Sequence, residues 1–153
     1  MSLNRRIISS DNHIYEPPWL WEQRVAPRFR DRCPKLIDIE GGEAWVVDGY
    51  RTSFITQGTQ PGARFQGQDN IKKSDYFSNV REGGYIPEKA LDDMDIDGVD
   101  AAAIFGGGPL GSEDPEMYLA SFRAYNSWLA DFCGEASDRM WGMAYIPLFD
   151  VDE

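Results

Sequence analysis

The sequence predicts an α/β fold built on a parallel sheet, and three observations carry that expectation. Apolar strand-like segments and helical patterns follow one another in the order strand, meander, helix, strand, helix, strand. Val99 to Phe105 is an almost unbroken apolar run of strand length, the kind found in parallel strands covered on both faces. From Asp114 onward, apolar side chains recur every three or four residues behind an Asp-Pro start.

Each element can be justified in turn. Arg6 to Ser10 reads as the first strand, closed by Asp11-Asn12-His13 and followed by a loop, Ile14 to Pro18. Leu36 to about Ile55 reads as an antiparallel meander with turns at Gly41-Gly42 and Asp48-Gly49, which supply the positive φ angles of two-residue hairpins. Residues 56–84, rich in Gly, Gln, Asn and Ser, read as an irregular excursion. Pro87 suits a first helical position and Gly98 the residue past a helix end, with Ala90, Leu91 and Met94 as the apolar stripe between them. Gly106-Gly107-Gly108-Pro109 ends the second strand. Asp114 caps the next helix, Pro115 starts it, and Tyr118, Phe122, Tyr125, Leu129, Phe132 and Ala136 form its apolar face. Met140 to Pro147 reads as a third buried strand.

At 153 residues the chain is one domain by length, 1–153, and can bury a proper core. Its formal charge of −11 argues against nucleic acid and against an anionic membrane surface. The acidic run Leu91 to Asp97 reads as a solvated helix face. No apolar run approaches the ~18 residues of a membrane span, and the N-terminus has no apolar core of a secretory signal. Cys33 and Cys133 form no C-x-x-C motif, so reduced thiols in a cytoplasmic protein are the expectation.

The chemistry-bearing candidate is Asp11 with His13, the single histidine of the chain. Residues two apart on an extended backbone point to one side, so a carboxylate and an imidazole can reach one point in space. Both are ligands for a divalent metal. The competing reading is a turn Asp and a structural, hydrogen-bonding His. Gly106 to Gly108 could bring backbone N–H groups to an anion, but neither the Lys-Ser/Thr of a P-loop nor G-x-G-x-x-G spacing is present, and a flexible connection is the simpler reading. Tyr15, Trp19 and Trp21 stand as either pocket wall or core. Arg123 and Asn126 read as anchors of the long helix.

Taken together, four blocks resemble one family in the right order. They are Ser10 to Pro18, Ala90 to Asp100, Ser121 to Leu129 and Asp138 to Leu148. They resemble the amidohydrolase-related metal-dependent (β/α)₈ barrels that include aminocarboxymuconate semialdehyde decarboxylase and related aromatic-acid decarboxylases. The resemblance implies the N-terminal part of such a barrel with an inserted β-meander. It implies a divalent metal held in part by Asp11 and His13; a His/carboxylate site favours zinc first and manganese second, and Glu16 behind the pair and Trp19 beside it are the further candidates. It implies a small-molecule substrate, a carboxylate or cyclic compound, hydrolysed or nonoxidatively decarboxylated. Further ligands and the catalytic base of the family come from later strands, beyond Phe149 to Glu153, so the chain alone is expected to be inactive. A homo-oligomer or a complementing C-terminal portion is the expected partner. Two other classes stay open: a non-enzymatic truncated or edge-pairing α/β module, and an anion- or nucleotide-binding module using Gly106 to Gly108.

Overall fold

The computed structural model describes residues 6–55, 74–108, 111–136 and 138–149. Two three-stranded sheets organise them. The first is parallel: β1 (Ile8–His13) and β6 (Met140–Gly142) flank β5 (Ala101–Phe105). The second is an antiparallel meander of β2 (Lys35–Ile39), β3 (Gly42–Val47) and β4 (Tyr50–Phe54). Helices α1 (Trp19–Arg24), α2 (Pro87–Asp97) and α3 (Pro115–Gly134) connect and cover them.

The α/β class with a parallel sheet is therefore observed. Helix α2 starts at Pro87 and stops at Gly98, whose left-handed φ of 70° a side chain rarely adopts. Its acidic residues lie on the outer face, where Asp93 pairs with Arg81, Asp92 with Lys89 and Asp95 with Arg139. Helix α3 is capped by Asp114, whose carboxylate accepts the Glu116 N–H at 3.0 Å and the Met117 N–H at 3.4 Å. It buries Met117, Tyr125, Leu129 and Phe132 in one stripe, continuous with Ala102, Ile104 and Met140 of the parallel sheet, while Phe122 packs on Tyr118 and Phe149. Arg24 of α1 reaches α3 through the Ser127 hydroxyl at 2.8 Å and Asp131 at 2.8 Å. Trp21 is fully buried edge-on against Trp45, so it is core and joins α1 to the meander.

Three boundaries differ from the sequence reading. Strand β1 runs on through Asp11, Asn12 and His13, because pairing with β5 (Asn12 with Ile104, His13 with Phe105) overrides the local turn preference of Asp-Asn. A register shift between Ser9 and Asn12 absorbs the irregularity. The first hairpin turn is Glu40-Gly41 instead of Gly41-Gly42, since Ile39 pairs with Gly42 and Gly42 opens β3. The third parallel strand keeps only Met140 to Gly142; Trp141 is half exposed and Ile146 and Leu148 largely so, because among the described residues β6 has a partner on one side alone. Most of the excursion, 56–73, lies outside the described residues, and 74–84 forms two short 3₁₀ turns.

One guanidinium helps to fix the meander to the rest. Arg32 donates to Asp48 at 2.6 Å and to Asp114 at 2.9 Å, tying the β3–β4 turn to the start of α3. Ser112 donates to the same Asp48 carboxylate.

Candidate functional site

Parallel strands deliver their C-terminal ends to one rim of the sheet, and His13 and Phe105 end β1 and β5 side by side there. Their rings lie 6.2 Å apart. Asp11 and His13 do come together: Asp11 Oδ1 and His13 Nε2 are 3.1 Å apart, with side chains 75% and 67% exposed. Two ligands at tetrahedral positions ~2.0–2.1 Å from zinc lie about 3.3 Å apart. The contact itself is a hydrogen bond between imidazole and carboxylate, both of them donor types that zinc sites use. No group of three His, Cys, Asp or Glu side chains able to hold a metal exists among the described residues.

Glu16 is placed differently from the expectation of a residue backing the pair. It is only 8% exposed. One carboxylate oxygen accepts the Gly108 N–H at 2.9 Å. Burial pushes the Glu16 carboxyl above its ordinary value, against the opposing pull of backbone N–H groups. Two tyrosines complete the cluster. The Gly106 N–H donates to Tyr125 Oη at 3.0 Å, and Tyr145 Oη donates to the Gly106 carbonyl at 3.3 Å. The Tyr125 hydroxyl is raised too, by burial first and by the Glu16 charge second.

This cluster explains the three glycines. A Cβ on Gly106 would sit 2.7 Å from Tyr125 Oη, and one on Gly108, whose φ is 87°, would sit 2.7 Å from the Tyr145 ring. The loop is a receptor already filled from inside. Sequence reasoning saw the N–H groups but not their occupant; three successive glycines were the signal that something crowds the backbone.

Trp19 is 46% exposed and meets Phe77 and Tyr85 edge-on at 6.0 and 5.8 Å. Tyr15 lies at the inner side of that aromatic group, 6.3 Å from Phe77, with its hydroxyl pushed up to about 12 by burial and then by the Glu16 charge. Asn126 anchors α3 as expected, bonding both backbone groups of Tyr145 at 2.8 and 2.9 Å. Cys33 and Cys133 are buried free thiols, Cys133 raised to about 11 by burial. Among the described residues no helix is long and apolar enough to cross a membrane.

No protein-family model matches the chain, and no curated protein matches it. Its fold is similar to the crystal structure of an amidohydrolase from Mycobacterium avium subsp. paratuberculosis K-10, with a TM-score of 0.67 and 19% identity. That match covers 97% of this chain and 44% of the other. The chain thus has the fold of part of a larger amidohydrolase and spans less than half that protein's length.

Proposed function

We propose that this chain carries the first three strands of a metal-dependent amidohydrolase-type (β/α)₈ barrel, with Asp11 and His13 as two ligands of a divalent cation. The carrying observation is the 3.1 Å convergence of a carboxylate and an imidazole on the first strand of a parallel sheet, at the rim where barrels present chemistry. Support comes from the amidohydrolase-like fold.

A bound zinc, or manganese in second place, would polarise a substrate carbonyl or carboxylate and activate water. The chain's own residues do the rest of what falls to them. Asp11 and His13 hold their donor atoms together on a strand whose last backbone bond, Ile14 N–H to the Phe105 carbonyl at 2.8 Å, fixes the rim. Trp19, with Phe77 and Tyr85, offers an apolar wall suited to the ring or chain of a small carboxylate or cyclic substrate. The reaction fits hydrolysis or nonoxidative decarboxylation of the aminocarboxymuconate semialdehyde decarboxylase type. Because the chain has one histidine, a complementing C-terminal portion supplies the remaining ligands and the base, and the chain alone is inactive.

Calorimetric titration of the 153-residue chain with zinc tests this. Weak one-to-one binding is expected, and Asp11→Ala or His13→Ala should reduce affinity on the order of tenfold or more. Equal zinc affinity in wild type and both variants would sink the assignment.

A second reading rests on the edges of the parallel sheet: among the described residues β1 and β6 each pair with β5 alone. Such edges favour association with another copy. Light scattering separates the readings, since a stable homodimer with no zinc binding supports the non-enzymatic module.

A further inference from the structure

We infer that the Gly106–Gly108 loop is a carboxylate receptor whose resident ligand is the Glu16 side chain, which makes Glu16 a positioning residue that latches the rim loop after β5 to the loop after β1. The latch does not depend on the metal reading of Asp11 and His13.

The latch begins where the strands part. Backbone pairing between β1 and β5 ends with the Ile14 N–H on the Phe105 carbonyl, and the next amide, of Tyr15, turns away to the Gly84 carbonyl at 2.6 Å. Beyond that point the β5 loop has no strand partner, and buried N–H groups left unpaired there would each be costly. Glu16 and Tyr125 supply the acceptors instead. The Glu16 carboxylate takes the Gly108 N–H at 2.9 Å, while Tyr125 Oη takes that of Gly106. The Gly108 N–H and the close-lying glycine backbone thus form a small carboxylate site, and here its guest is covalently tethered.

Shape supports the same assignment. A Cβ on Gly107 would sit 3.2 Å from the second Glu16 oxygen, and one on Gly106 would meet the first oxygen still more closely. The backbone is thus pressed against both carboxylate oxygens, and a shorter side chain would leave a carboxylate-sized space with the Gly108 N–H turned into it. An untethered carboxylate of the smallest size, formate, should enter that space once the Glu16 side chain is removed.

The test uses ¹⁵N-labelled full chain. In Glu16→Ala the Gly108 amide resonance should shift and its hydrogen exchange should accelerate at least ~10-fold, as expected for loss of a buried bond. Sodium formate should reverse both changes along a saturating curve, whereas sodium chloride should not. Glu16→Gln, which keeps an acceptor oxygen, should retain most of the wild-type protection. Unchanged loop amides in Glu16→Ala, or no saturable response to formate, would overturn the proposal. Should Glu16→Ala fail to fold, Glu16→Asp takes its place: one methylene shorter, it should show the same formate-reversible exchange at Gly108, and indifference to formate would count against the latch equally. No metal is added, so failure of the zinc experiment leaves this result standing, and the converse holds.

Discussion

Asp11 and Glu16 are acids leaving the same strand, and their surroundings are opposite. Asp11 stands in solvent, 75% exposed, with His13 as its one close partner among the described residues. Glu16 is shut between a glycine loop and a tyrosine-bearing helix, with its carboxylate on the Gly108 N–H. The difference teaches that strand geometry alone can converge an exposed pair, whereas a buried carboxylate needs distant chain segments to satisfy it. Removing the first should disturb binding and little else; disturbing the second should disturb the fold.

Substitutions can break that contrast, starting with the largest effect. Gly106→Ala drives a methyl group into the Glu16 carboxylate and Tyr125 Oη. It should lower unfolding free energy by about 3 kcal/mol, as overpacking of a buried polar cluster does. Urea denaturation followed by tryptophan fluorescence measures it, and a loss under about 1 kcal/mol would mean the loop yields freely. Tyr125→Phe removes the acceptor for the Gly106 N–H while keeping the ring in the core, and should cost about 1–2 kcal/mol in the same assay. A change within error would show that the hydroxyl is replaceable there.

The pH dependence sharpens the comparison next. Burial raises the folded value of Glu16, so its proton is held more tightly in the folded chain. Stability from that protonation is complete below the unfolded carboxylate value, about 4.3, and is lost as pH rises through the raised folded value. The stability of wild type relative to Glu16→Gln should therefore fall as pH increases above about 4.3. Parallel pH profiles for the two proteins would contradict a raised Glu16. The smallest effect belongs to the rim: Asp11→Ala and His13→Ala should each change stability by no more than about 0.5 kcal/mol without metal. A larger loss would make the pair structural, the reading that turn chemistry favours.

Legibility in the sequence follows the same division. Helix α2 was readable from Pro87 and Gly98, and the start of α3 from Asp114-Pro115, because proline, glycine and a capping carboxylate act within a turn of where they sit. The juxtaposition of Asp11 and His13 was readable because two-residue periodicity belongs to any strand. The run of β1 through His13 was not, because Asp-Asn favours a turn and only pairing with β5 overrules it. The turn at Glu40-Gly41 slipped by one residue because two adjacent glycines permit either register. The short β6 was overread, since an apolar composition says nothing about whether a neighbouring strand is there to bury it. Glu16 on Gly108 spans the β-meander and two helices in sequence, and no local pattern encodes such a contact. The arginine holding Asp48 and Asp114 was invisible for the same reason.

The Asn126 side chain imitates a strand neighbour in solution. Its amide gives one donor and one acceptor to the backbone of Tyr145, the same pair of bonds that a neighbouring strand residue would give. An amide-exchange experiment would therefore find a protected N–H beyond the last residue of β6 and count it as sheet. Replacing that single asparagine by leucine should erase the extra apparent strand while leaving the circular dichroism of the real ones untouched.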